Sequence, residues 1–338
     1  MNNTGILLTN LGTPDSPTPE AVRRYLAEFL WDKNVVALPR WIWWPILHGI
    51  ILRRRPPFIA EHYKKIWTSE GSPLLFISEK QGKKLQQQLE YSFQEPPAVV
   101  LGMRYGNPSL VSSLEELKKS GVTRIITFPL YPQYSVTTTK STREAVISAL
   151  GELGWAPDVS TIAHYYDHPA YIAALVNSIQ EYRGVSGKGE LLLFSFHGIP
   201  KRLVTRGDPY YDQCLKTARS VVGKLGLGQK EWRVTFQSKF GFGEWLSPAT
   251  EETLRQLARD GLKSVDVICP GFSADCLETL EEIADMNRDV FLSEGGEQFH
   301  YIPALNDRPD HIQALVDIVK THMNESSGYR AVNGTPST

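Results

Sequence analysis

Three cysteines in 338 residues, Cys214, Cys269 and Cys276, are too few and too scattered to build a disulfide framework. They form no CxxC, which excludes a four-cysteine metal site and leaves reduced thiols as the expectation. Charge of one sign is scarce as well. The formal net charge is -1 and the longest basic run is Arg53-Arg54-Arg55, so nucleic-acid binding has little electrostatic basis. The chain opens without a leader pattern; Gly5-Ile6-Leu7-Leu8 reads as a first strand, and a cytoplasmic location is expected. Its longest apolar stretch, WIWWPILHGIIL (41–52), is broken by Pro45, His48 and Gly49. That is short of the roughly 20 apolar residues needed to span a bilayer.

Several reaction motifs are missing too. No GxSxG elbow is present, which argues against a serine hydrolase. GFGEWL (241–246) imitates a dinucleotide fingerprint but has Leu246 where the last glycine belongs. Lys140 in SVTTTKST (135–142) lacks the Walker glycines, so that segment reads as a turn and helix cap.

What remains is globular: 41% hydrophobic and 22% charged residues, with length enough for two domains. The chain is also duplicated. GILLTNLGTP (5–14) lies over LLLFSFHGIP (191–200) without a gap, matching Leu11 to His197, Gly12 to Gly198 and Pro14 to Pro200. SLEELKKSGVTRIITFPLYPQ (113–133) and TLRQLARDGLKSVDVICPGFS (253–273) each give a helix, a stopping glycine and a strand ending near proline. GMRYGNPS (102–109) holds the place that QSKFGFGEWLSP (237–248) holds in the second half. Thr18 as N-cap, Pro19 behind it, and Val22, Tyr25, Leu26, Phe29 and Leu30 on one face predict the first helix. Alternating strands and helices imply an α/β fold with parallel sheets in two similar lobes, 1–165 and 166–323. Residues 324–338 are expected to be a disordered tail.

In such sheets ligands sit beyond the carboxyl ends of the strands. His197 lies at one such end, although a locally satisfied core histidine would also fit an apolar strand. CPGFSADCLETLEEI (269–283) follows another end. If helical, it lines Glu278, Glu282 and Asp285 along one stripe, for which a solvated face is the plainer account. An imidazole and a carboxylate facing one site would suit transient metal binding or proton uptake. Tyr131, Trp245 and Phe272 fall near strand ends and could line an apolar pocket. The three tryptophans of WIWW, followed by Arg53 to Arg55, fit core packing, a membrane interface, or a flat apolar ligand with carboxylate arms.

LLLFSFHGIP, FQSKFGFGEWLSP, CPGFSADCLETLEEI, GMRYGNP and FPLYPQYS together resemble the ferrochelatase family, from Leu7 to about Val319. The resemblance implies two Rossmann-like lobes of the chelatase fold enclosing a porphyrin cleft, and insertion of Fe2+ into protoporphyrin IX. It makes His197 and Glu278 the central pair, with Glu282 continuing a metal path whose third position falls at Met286; Asp285 is a candidate substitute. Leu11, Arg104, Tyr131, Trp245 and Phe272 become the expected porphyrin-lining residues. Members with a [2Fe-2S] cluster carry one ligand where this chain has Val136 and three in a C-terminal extension, whereas no Cys follows Val319 here. No cluster and no permanently bound cofactor are therefore expected. The coproporphyrin-using branch has Tyr at the place of Leu11, which favours protoporphyrin. A chelatase for another tetrapyrrole or metal, and a porphyrin carrier without turnover, are the rivals.

Overall fold

The computed structural model describes residues 3–239 and 243–332. Its first half runs β1 (Thr4–Asn10), α1 (Pro19–Trp31), α2 (Arg40–Ile46), a π-helical turn (Leu47–Ile51), α3 (Leu52–Ile66), α4 (Pro73–Ser92) and β2 (Ala98–Met103). It continues with α5 (Leu110–Lys119), β3 (Arg124–Pro129), a second π-helical turn (Val136–Lys140), α6 (Ser141–Glu152) and β4 (Asp158–Thr161). Then come α7 (Pro169–Ser186), β5 (Leu191–His197), α8 (Lys201–Thr205), α9 (Tyr210–Leu225), β6 (Trp232–Gln237), α10 (Thr250–Arg259) and β7 (Ser264–Ile268). A π-helix (Glu278–Asn287), α11 (Arg288–Ser293), β8 (Gln298–Ile302) and α12 (Pro309–Val332) complete the order.

Two parallel sheets result, ordered β2-β1-β3-β4 and β6-β5-β7-β8. The internal repeat explains why the orders correspond. Asn10 pairs with Met103 and Phe196 with Phe236. The Met103 N–H then donates to the Pro108 carbonyl at 2.7 Å, and the Phe236 N–H to the Pro248 carbonyl at 2.9 Å. Leu11 and His197 therefore hold equivalent places, each beside the central strand end, and Arg104 corresponds to Gln237. Gly12 is required where it stands. Its φ is 103° and a Cβ would lie 1.7 Å from the Tyr105 carbonyl oxygen.

Each sheet buries both faces, as strands of continuous apolar sequence must. Leu7 and Ile125 face Leu110, Leu114 and Val146 of α5 and α6, while Leu193 and Val267 face Leu254 and Phe291 of α10 and α11. The opposite faces meet in one continuous core. Ile6, Leu8 and Phe128 join Phe194, Phe196 and Ile268 through Tyr171 and Leu175 of α7 and Leu315 and Val316 of α12. The two halves are thus welded rather than merely hinged. Thr18 caps α1 by accepting the Ala21 N–H at 3.3 Å, and Val22, Tyr25, Leu26 and Leu30 are its buried stripe. α12 runs to Val332, and residues 333–338 of the expected tail lie outside the described residues.

Candidate functional site

His197 is the last residue of β5, half-buried at the carboxyl edge of the second sheet. Its Nδ1 lies 2.6 Å from the Gly198 carbonyl oxygen, which assigns the ring proton to Nδ1. Nε2 is the ring nitrogen left outside that bond. Tyr210 fixes the backbone by donating its hydroxyl to the His197 carbonyl at 3.0 Å. The chain then turns tightly against β6: the Gly198 N–H donates to the Gln237 carbonyl at 2.8 Å, and a Cβ on Gly198 would sit 2.8 Å from that oxygen. Trp245 covers the same glycine from a loop paired with Pro200. Phe272 stands 6.4 Å from the His197 ring, centroid to centroid.

The carboxyl end of β7 leads into the acidic segment. Asp275 pins this approach by accepting from Tyr301 Oη at 2.5 Å, Asn306 Nδ2 at 2.6 Å and Thr279 Oγ1 at 3.0 Å. Glu278 to Asn287 then form a π-helix, where an α-helix with one three-carboxylate stripe is the sequence expectation. The i→i+5 bonding of a π-helix widens each turn, so residues four or five apart stay aligned while one seven away moves off the face. Asp285 accordingly leaves the stripe. It pairs with Arg288 at 2.9 Å and Lys65 at 3.6 Å, and Met286 is 46% exposed.

Glu282 stays within electrostatic reach of both His197 and Glu278. Gln237 donates its Nε2 to the Glu278 carbonyl at 2.7 Å. Glu282 accepts the Ser238 N–H at 2.7 Å and the Ser238 hydroxyl, which Ser238 presents from a left-handed conformation, φ 62°. Burial pushes the Glu282 carboxyl above the ordinary range; Ser238 and His197 oppose the rise, and the like charge of Glu278 adds to it. Across the site, burial pushes the hydroxyls of Tyr25 and Tyr63 well above the usual tyrosine range, and Glu278 pushes both the same way. These two tyrosines, together with Gln237 and Ser238, are absent from the sequence-based set. Tyr25 reads there only as part of an apolar helix stripe, and a serine with positive φ leaves no trace in spacing.

The remaining expected residues divide into two groups. Leu11 packs between the α1–α3 cluster around Tyr25 and a cluster that holds Leu74, Ile77, Ala274, Cys276 and Phe272. Arg104 belongs to a second polar group on the first sheet's carboxyl edge: it binds Asp32 at 2.6 Å and Ser141 at 2.8 Å. Burial alone would raise the Asp32 carboxyl, but Ser141, the Asn34 N–H, Tyr105 and Arg104 together hold it below the usual range. The Tyr131 hydroxyl is buried, and burial pushes it upward while Arg104 and Thr142 oppose the rise. Among the described residues, no three His, Cys, Asp or Glu side chains converge on one metal position. Phe240, Gly241 and Phe242, within the GFGEWL stretch and its approach, lie outside the described residues.

The WIWW stretch divides its own alternatives. Trp43 is core, with its Nε1 donating to the Leu30 carbonyl at 2.7 Å, while Trp41 and Trp44 are 79% and 57% exposed. Ile50 and Phe58 extend that exposed apolar lip. No helix among the described residues is long and apolar enough to cross a membrane. Val136 donates its N–H to Asp208 at 2.8 Å, and all three cysteines are buried.

Comparison with known proteins places this geometry. A family model described as Ferrochelatase matches residues 3–323. A ferrochelatase of Nitrosococcus oceani is 52% identical over 319 residues, covering 94% of this chain and 86% of that protein. One from Vibrio cholerae is 50% identical over 323 residues, covering 95% and 99%. Among solved structures, SirB from Bacillus subtilis with Fe3+ overlays with a TM-score of 0.54 at 11% identity, covering 96% of this chain and 98% of that one. CbiX, described as the terminal enzyme for siroheme biosynthesis in denitrifying bacteria, gives 0.52 at 12%, covering 94% and 98%. These two likenesses establish a shared two-sheet chelatase fold and nothing finer. The match along the sequence is of another order, and by it the chain belongs to the ferrochelatase family.

Proposed function

We propose that this chain carries out its family's reaction, insertion of Fe2+ into protoporphyrin IX to form protohaem, with His197 and Glu278 at its centre and Glu282 on the metal path. The observation that supports this reading is His197 at the carboxyl end of β5, its Nδ1 tied to the Gly198 carbonyl so that Nε2 is the nitrogen left to act, within electrostatic reach of Glu282, which in turn feels Glu278. Insertion forms iron–nitrogen bonds to the pyrroles and releases two pyrrole N–H protons. A neutral imidazole suits the uptake of one proton. Glu282, whose affinity for a proton burial has raised, is the second acceptor. Glu278 supplies charge that draws Fe2+ in, and a mixed N and O set releases the ion to the stronger pyrrole donors. Iron is a substrate here.

Porphyrin binding is assigned to the wall of Leu11, Phe272 and Trp245, with Arg104 and Tyr131 as polar contacts for the ring's carboxylate arms. Leu11 in place of Tyr supports protoporphyrin over coproporphyrin, and Val136 in place of a cluster ligand supports work without a [2Fe-2S] cluster. The exposed Trp41, Trp44, Ile50 and Phe58, with Arg53 to Arg55 on the adjoining α3, support peripheral contact with the cytoplasmic face of a membrane. The central test follows porphyrin fluorescence after anaerobic addition of Fe2+, or of Zn2+ as a surrogate. Wild type is expected to give a metalloporphyrin spectrum, and His197→Ala to bind porphyrin with its metal-free spectrum unchanged. Near-normal turnover in His197→Ala removes the imidazole from the reaction, and wild type that binds porphyrin without metallating it is a carrier.

A further inference from the structure

The lip helix α3 and the π-helix are joined by a link that the reaction does not itself require. His62, one turn before the end of α3, meets the Glu281 carboxylate through Nδ1 in a short contact. Their side chains are 18% and 7% exposed, so the pair is shielded from water. Lys65 of α3 stands 3.6 Å from both Glu281 and Asp285, and Arg288 of α11 binds Asp285 at 2.9 Å. The edge of Phe58, itself 68% exposed on the lip, packs on the His62 ring at 4.3 Å.

The surroundings make this link more than a surface ion pair. A π-helix is uncommon and is found at functional positions, so contacts from outside the segment are expected to select it over the α form. Two such contacts come from the second sheet: Gln237 on the Glu278 carbonyl and Ser238 on Glu282. The contact from His62 and Lys65 comes from the other half of the chain. It engages Glu281, the residue just before Glu282. In an α-helix of the same sequence, Glu281 would turn to a different bearing relative to Glu278, and the His62 contact would be lost.

We propose that His62 and Glu281 are positioning residues for metal insertion, tying the lip helix to the π-helix and holding it in the register that presents Glu278 and Glu282 to His197. The inference rests on the roles given above to His197, Glu278 and Glu282. Neither His62 nor Glu281 touches the reacting atoms in this account. Their effect is transmitted through the carboxylates, so it falls on metal insertion and leaves porphyrin binding alone.

The test measures kcat, metal KM and porphyrin KM with Zn2+ for His62→Ala, Glu281→Ala, the double variant and His62→Gln, beside His197→Ala. Each Ala single variant is expected to lose about tenfold in kcat and gain in metal KM, because misplaced groups act through geometry. Porphyrin KM should stay within about twofold, and the double variant should be no worse than either single, as for two ends of one contact. His62→Gln keeps an N–H donor for Glu281 and is expected to stay within about threefold of wild type. Amide exchange across residues 278–287 should quicken in the Ala variants. The proposal is overturned by folded Ala variants with unchanged kcat and metal KM, by losses that multiply in the double variant, or by a change confined to porphyrin KM. It is overturned equally if the Gln variant folds but is as impaired as the Ala variant. Should His197→Ala retain activity, the underlying assignment of the site fails instead, and the two failures are told apart.

Discussion

Acidification should loosen this protein through one histidine, His311, which is fully buried near the start of α12. Its Nδ1 donates to the Asn306 carbonyl at 2.7 Å, while its Nε2 has no hydrogen-bond partner among the described residues. Burial holds its pKa down to about 4, with the Asn306 bond and Asp310 opposing the drop. An unfolded histidine titrates near 6.5, so the unfolded chain takes up the proton first as pH falls. Stability from this group is therefore complete above about pH 6.5 and is lost progressively down to about pH 4. The full shift is worth ~3 kcal/mol, of which ~2 kcal/mol should disappear between pH 7 and pH 5. His311→Leu removes the titrating group at a cost near 1 kcal/mol for the lost hydrogen bond. The Asn306 carbonyl keeps its bond from Gln81 at 2.9 Å, so no acceptor is orphaned. Urea unfolding of both proteins at several pH values, followed by tryptophan fluorescence, isolates the term as the difference between them. As pH falls from 7 to 5 the stability gap should change by about 2 kcal/mol in all, from about 1 kcal/mol in favour of wild type to about 1 kcal/mol in favour of the variant. Parallel curves for the two proteins over that interval would refute the reasoning. The consequence reaches the site, because Asn306 also binds Asp275, which pins the approach to Glu278.

Ser238→Ala should move the acidic limb of the kcat profile to higher pH. The Ser238 hydroxyl holds the Glu282 pKa down against burial, and losing it lets the carboxyl bind its proton more readily; an unmoved limb in a folded variant excludes Glu282 from the titration that controls turnover. Replacing Trp41 and Trp44 with Ser should lower sedimentation with anionic vesicles while leaving Zn2+ insertion into detergent-dispersed porphyrin intact. Equal vesicle binding by the variant returns the exposed lip to some other partner.

Much of the frame was readable because backbone turns leave sequence marks. The matched Leu11-Gly12 and His197-Gly198 pairs announced two equivalent strand ends, and both glycines prove to be squeezed against a neighbouring carbonyl. The form of the acidic helix was not readable. Spacing records which residues are three, four or seven apart, but the contacts on the π-helix come from residues remote in sequence, Gln237 and Ser238 at the end of β6 and His62 on α3. The common core escaped for a related reason. Uninterrupted apolar strands say that both sheet faces are buried, not that Leu315 and Val316 of the last helix complete the cover between the sheets. Within WIWW, composition left burial and exposure open, and the helix decided it by turning Trp43 inward.

The repeat also explains how one frame supports unequal chemistry. Equivalent positions carry Leu11 and Arg104 on the first sheet, His197 and Gln237 on the second. On the first edge the cation is already balanced by Asp32, and the strand end contributes an apolar wall. On the second edge Gln237 holds the Glu278 carbonyl and its neighbour Ser238 holds Glu282, so the same backbone geometry serves an imidazole and two carboxylates. A symmetric pair of such edges would either crowd charge on both sides of an apolar ring or offer no proton acceptor at all. In the proposed function the wall is shared, Leu11 from the first copy with Trp245 and Phe272 from the second, while the acceptors stand on the second copy alone, so the ring would be held from both lobes and metal and protons would pass on a single side.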